Sequence, residues 1–222
     1  MEVTQEGALS DNGTSWPKPL VVLARFFSYL LHPLFLVGWI TLFFLYFNPS
    51  TFIGTGADER LLVFLRVFST SIFLPLVTVL LLKGLGFIQS IQLQTQKERI
   101  IPYVACITFF FWSYYVSKQL GDPEEFRAFL LGLFITASLS LFLNNYFKIS
   151  MHTLGAGSML ALFVLLLFSG RLDNGFWMIV ALLLAGITGT SRLLTNNHNP
   201  FEIYAGYITG FLVQLICWWI VL

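Results

Sequence analysis

Charge is what this chain has least of. Only 10% of its 222 residues are Asp, Glu, Lys or Arg, against about 25% in average soluble proteins. That shortage excludes an ordinary soluble domain, because a single core of this composition would leave too few polar residues to cover its surface. Neither sign is in excess: 12 Lys and Arg stand against 11 Asp and Glu, a formal net charge of +1, which argues against a basic nucleic-acid footprint. Cysteine is nearly absent. Cys106 and Cys217 both lie inside apolar runs and read as small core residues, so they carry no information on redox compartment. Repeats and low-complexity tracts are lacking. The first residues have neither the cationic start of a signal peptide nor the composition of a transit peptide.

What is abundant is apolar: 57% of residues are hydrophobic and 17% aromatic. They come in long runs separated by short polar breaks, at about 20–47, 61–83, 100–120, 126–147, 153–170, 176–194 and 202–222. Most are near the roughly 20 residues with which a helix crosses about 30 Å of hydrocarbon; the first is long enough to tilt or to lie partly in the interface, and the fifth and sixth are short. The runs are continuous rather than alternating, which favours helices over a β-barrel. The expected fold is therefore all-α, a polytopic membrane bundle of about seven (six to seven) transmembrane helices. Residues 1–19 form a polar tail, and 20–222 a single transmembrane domain. The expected location is the cell (inner) membrane.

Counting crossings gathers the polar residues. With the tail on one face, the 84–99 segment, the 148–152 junction and the 191–201 stretch all return to that face. They bring Lys97, Arg99, Lys148, Ser150, His152, Arg192, His198 and, at the start of the last span, Glu202. The opposite face carries Asp58, Glu59, Asp122, Glu124 and Glu125, which read as solvated helix caps. Arg66 lies inside the second run and reads as reaching toward the face of Arg60, and His32-Pro33 reads as a kink.

The strongest local pattern is Ser191-Arg192-Leu193-Leu194-Thr195-Asn196-Asn197-His198-Asn199-Pro200-Phe201-Glu202. Asn199 is a good N-cap, Pro200 suits the first helical position, and Glu202 meets the positive end of the helix dipole. His198 and Glu202 are four apart, so an imidazole N–H to carboxylate bond is within geometric reach. Such a bond sets the ring tautomer and leaves the other nitrogen as nucleophile or base. The second element is Lys148-Ile149-Ser150-Met151-His152, where His152 is placed to protonate a departing alkoxide. The third is Lys97-Glu98-Arg99-Ile100-Ile101-Pro102, two cations at a span entrance suited to phosphate oxygens. Singly, each also fits a plainer role as a capping residue, a headgroup contact or a basic span flank. Gly206 and Gly210 read as a close helix contact beside them.

Taken together, the order and spacing of these elements resemble the type 2 phosphatidic acid phosphatase family of membrane-bound histidine phosphatases. Its third motif, Ser-Arg-x5-His-x3-Asp, is matched by Ser191, Arg192, His198 and Glu202, with Glu for Asp. Its second, Pro-Ser-Gly-His, is matched by Ser150 and His152, with Ile149 for Pro and Met151 for Gly. Its first, a Lys/Arg-Pro signature, is represented by Lys97, Arg99 and Pro102 outside the usual register. The resemblance implies a phosphatase-like core at about 97–222 and a metal-independent lipid phosphatase without a cofactor. In it His198 attacks phosphorus, Glu202 orients His198, and His152 protonates the leaving alcohol. Lys97, Arg99, Ser150 and Arg192 then bind the phosphoryl oxygens. The implied partners are membrane lipids and an amphiphilic lipid phosphate, such as phosphatidic acid or an isoprenyl pyrophosphate, with no nucleic acid.

Two other classes share part of this pattern. A transporter would place charged residues near the midplane or carry an inverted repeat, and a non-catalytic phosphatase-like protein would keep the spans without the chemistry. Orientation stays open on charge alone. Seven cations on the polar face against five opposite favour a cytoplasmic site, but removing Lys97, Arg99 and Arg192 leaves four against five.

Overall fold

The computed structural model describes residues 16–90, 93, 95–195 and 198–222; residues 1–15 of the expected tail lie outside it. The helices are α1 Lys18–Leu30, α2 Pro33–Phe47, α3 Ala57–Gly84, α4 Gln96–Gln119, α5 Glu124–Leu143, α6 Met151–Phe168, α7 Phe176–Leu194 and α8 Pro200–Val221. No strand occurs among the described residues. Helices α3 to α8 are each long and apolar enough to cross a membrane, and α1 with α2 makes a seventh if the pair is taken as one span. This is the all-α bundle expected from the apolar runs. In hydrocarbon only a helix can satisfy the backbone groups of so continuous a segment within itself.

The first run departs from a straight span. It is broken between Leu30 and Pro33 by a 60° bend. Proline has no N–H, and it pushes the residue before it out of the helical region. His32 accordingly sits at φ −59°, ψ 137°, and α2 starts afresh with Pro33 in its first turn. Two π turns, Phe43–Phe47 and Ser69–Phe73, loosen α2 and α3; the second lies just ahead of Pro75.

Helix α6 is the hub. In its most apolar stretch 56% of residues are buried inside the protein, against 28% for α3, α4 and α7. Apolar surface has no preference for protein over lipid tails, so helices here hold by close packing. Glycines provide it between α6 and α8. A Cβ at Gly157 would lie 2.3 Å from the Tyr207 carbonyl oxygen, one at Gly206 2.3 Å from Thr153 Oγ1, and one at Gly210 2.0 Å from the Leu154 carbonyl oxygen. The Gly206/Gly210 contact read from sequence is thus a backbone-to-backbone approach. Helices α6 and α8 start on the same membrane face and run parallel, with α7 the return crossing that joins them in the chain.

At the far ends of these helices the core is aromatic. Phe44 meets Phe126 edge-on with centroids 5.5 Å apart, and Phe43 lies 4.6 Å from Phe163. Two of the acidic residues there, Asp122 and Glu125, correct the expectation of solvated caps, while Asp58, Glu59 and Glu124 stay exposed in helix first turns. Arg66 reaches across to Asp122, which also accepts from Ser117 Oγ at 2.5 Å, and Arg171 pairs with Glu125 at 2.8 Å. Glu125 is buried and Asp122 partly so, and a charge at such a site must be paired. Glu59 does cap, accepting the Gly56 N–H at 3.0 Å.

The packing predicts that Gly210→Val lowers stability by about 1–3 kcal/mol or more, the cost of overfilling a packed contact. Gly186→Ala, where a Cβ meets nothing within 4 Å, leaves it unchanged. Thermal denaturation in detergent compares the two.

Candidate functional site

The start of α8 organises the first half of the site. Asn199 caps the helix, its Oδ1 accepting the Glu202 N–H at 2.9 Å, and its own N–H donates to Glu202 Oε2 at 3.3 Å. The same carboxylate oxygen accepts His198 Nδ1–H at 2.7 Å. A carboxylate only accepts, so the proton sits on Nδ1 and the Nε2 lone pair is left for chemistry. The capping role and the histidine-orienting role of Glu202 are one arrangement. The His198 side chain is 3% exposed. Burial holds its imidazole well below the ordinary value of 6.5, the Glu202 bond opposing and the Arg192 and Arg99 charges adding to the depression.

The start of α6 supplies the second half. Ser150 donates its backbone N–H to the Glu202 carbonyl at 3.4 Å, which stitches the two helix starts together. Its amide is therefore engaged within the protein. Its hydroxyl is fully buried and has no hydrogen-bond partner among the described residues. Two residues on, His152 donates Nε2–H to the Ser28 carbonyl at 3.0 Å, which leaves the lone pair on Nδ1. His152 and His198 are close enough for their charges to act on one another, and Arg192 acts on both.

Cations line the same place. Arg99, 3% exposed, is clamped by two backbone carbonyls, Nε on Leu93 at 2.9 Å and Nη1 on Ile149 at 3.0 Å. Arg192, 9% exposed, donates Nη1 to Ser28 Oγ at 3.4 Å, and its Nε is buried with no partner among the described residues. Lys148 is half-buried beside them. Burial first, and then Arg99, lowers its pKa, with Glu202 opposing. The structure does not bring Lys97 into this group. It is exposed on the first turn of α4, because residues two apart on a helix point to different sides.

Seven groups thus share one end of the bundle: His198, Glu202, His152, Ser150, Arg99, Arg192 and Lys148. Ser28 and His32, from the bend between α1 and α2, complete it, and sequence reasoning gave neither a role. A signal was available in length. The 20–47 run exceeds what one crossing needs, and Pro33 marks where the excess ends, so the residue before it returns to the polar face. Asn144 holds the start of α4 by exchanging bonds with Gln96, its Nδ2 to the Gln96 carbonyl at 2.9 Å and Gln96 Nε2 to its own carbonyl at 2.8 Å.

Chemically, the site offers an imidazole nucleophile with its tautomer set, a second imidazole, and cations positioned for a multiply charged anion. The first-turn amides of α6 and α8 add positive helix ends. No known family model, curated protein or solved structure matches the chain.

An anion at this site binds the folded state and raises its melting temperature with concentration. Inorganic phosphate is expected to stabilise the detergent-solubilised protein, Arg192→Met to remove that effect, and Lys97→Met to preserve it. Equal loss in both variants contradicts the assignment of the cations.

Proposed function

We propose that this protein is an integral-membrane lipid phosphatase of the cell membrane, acting on a lipid phosphate monoester or pyrophosphate through a phosphohistidine. The observation that carries this reading is the 2.7 Å His198–Glu202 bond, set among Arg99, Arg192, Lys148 and a second histidine at one end of the bundle. It accords with the motif resemblance at Ser150, His152, Arg99, Ser191, Arg192 and His198, with Glu202 in the place of Asp, and the place of Lys97 among the cations falls to Lys148.

His198 Nε2 attacks phosphorus as the bond to the lipid oxygen breaks, and Glu202 accepts the Nδ1–H of the cationic ring that forms. Arg99 and Arg192 neutralise charge on the equatorial oxygens, the largest contribution in reactions of this type. The Ser150 hydroxyl donates to one of them. His152 gives a proton to the departing alkoxide. Water then attacks the phosphohistidine, His152 takes a proton from that water, and inorganic phosphate leaves as the P–N bond breaks. The site lies at helix ends, where headgroups are, so acyl or isoprenyl chains stay among the spans while the phosphate reaches the cations. A transporter needs its polar groups near the midplane, and these sit at one face.

His198→Ala is expected to reduce phosphate release from a lipid phosphate in mixed micelles to background. His152→Ala lowers kcat by about 10²–10⁴-fold, the contribution of a positioned acid. Wild-type rates in both variants would sink the proposal. The pH profile gives a separate check. His198 acts as the neutral imidazole, and its depressed pKa keeps that form to lower pH. The acid limb of kcat/KM therefore lies below the ordinary histidine value of 6.5, and a limb at or above it contradicts the assignment.

A further inference from the structure

The bend between α1 and α2 takes no part in the chemistry above, yet it touches two of the groups that do. Helix α1 ends in a tightened turn. Leu31 donates its N–H to the Phe27 carbonyl at 2.8 Å, but His32 donates to Tyr29 at 3.2 Å, one residue short of the α-helical partner, which is Ser28. Pro33 causes this by forcing His32 into extended backbone. Among the described residues the Ser28 carbonyl is left without a backbone donor in the last turn, where helix carbonyls lack partners. His152 Nε2–H fills it at 3.0 Å.

His32 meets the same histidine from another side. The two rings are edge-to-face, with centroids 5.3 Å apart and planes at 86°. His32 is itself oriented, since its Nδ1 accepts the Leu34 N–H at 3.4 Å. Ser28 Oγ accepts from Arg192, so one residue of α1 holds the second histidine through its backbone and a phosphate-facing arginine through its side chain.

We propose that the α1–α2 bend is the positioning device for the general acid. The Ser28 carbonyl holds His152 through Nε2–H, the His32 ring braces it, and Nδ1 is thereby left as the nitrogen that exchanges protons with substrate and water. This rests on the phosphatase reading. A carbonyl only accepts, so Nε2–H stays in place through the cycle. The proton on Nδ1 passes to the lipid oxygen as the P–O bond breaks, and Nδ1 is refilled from the water that opens the phosphohistidine. While both nitrogens are protonated, the ring's charge meets the negative end of α1. The other groups facing His152 are His32 at the bend, Arg192 on α7 and His198 before α8.

The test compares two substrates of equal chain length, an alkyl phosphate, whose leaving group needs a proton, and a nitrophenyl phosphate, whose leaving group does not. His32→Asn keeps a side-chain acceptor for the Leu34 N–H but removes the ring. It is expected to lower kcat on the alkyl phosphate about tenfold, part of the about 10²–10⁴-fold that a positioned acid contributes. Its single-turnover rate of nitrophenol release, which needs no proton from His152, stays within about twofold of wild type. His32→Phe restores a ring against His152 and recovers most of the loss. Equal loss on both substrates, or a His32→Phe protein as impaired as His32→Asn, overturns the proposal in favour of a folding or capping role. Nitrogen-15 NMR of histidine-labelled protein reads the tautomer without any substrate, so it separates this proposal from the phosphatase reading. An Nε2–H signal for His152 supports the Ser28 bond, and an Nδ1–H tautomer overturns it.

Discussion

The close approach of α6 and α8 is the contact on which the rest depends. Side chains at Gly157, Gly206 or Gly210 would drive into opposing backbone or Thr153, so the two helices can lie together only because those positions are bare. Being parallel, they bring two N-termini to one height, and the Ser150 N–H to Glu202 carbonyl bond ties those ends together. His152 and His198 come to the same end of the bundle as a consequence. A thicker contact would push the helix starts apart and separate the two imidazoles. The packing that holds the bundle in lipid and the geometry that makes a site are therefore the same feature.

The distribution of charge sharpens what that site is for. At the far end of the bundle Arg66 pairs with Asp122 and Arg171 with Glu125, while Arg60 is held by the Leu45, Phe52 and Thr55 carbonyls. At the site end Arg99 is held by carbonyls, Arg192 keeps a buried Nε without a partner among the described residues, and Lys148 lies beside them. Among the described residues the carboxylate of this group, Glu202, is engaged by His198 and by the helix cap. Removing positive charge from water without compensation is expensive. A bound anion compensates it, and the two converging helix ends favour the same sign. Ion pairs at one end and gathered cations at the other accord with the anion site proposed above.

Much of this was legible in the sequence because it is local. Helix class and span number follow from apolar runs, whose length alone meets the thickness of hydrocarbon. The His198–Glu202 pair follows from four-residue spacing on a helix with a readable cap. Long-range partners were not legible. Asp122 and Glu125 looked like solvated caps because their arginines lie far off in the chain, and Lys97 looked equivalent to Arg99 because spacing at a helix start does not say which side faces inward. His32 looked like a simple kink residue, although the proline after it also returned it to the polar face.

By itself, then, the sequence determined that this chain is a bundle of membrane helices, and which residue types stand at the ends of three of them. Those properties are set by transfer of apolar side chains from water and by backbone bonding within each segment. Only the tertiary structure decided which of the polar residues meet. It turned Arg99 inward and Lys97 out, kept Lys148 beside Arg99, and set Ser28 and His32 against His152. Those choices depend on helix rotation and on a 60° bend, and rotation is fixed by packing between segments rather than by any one of them.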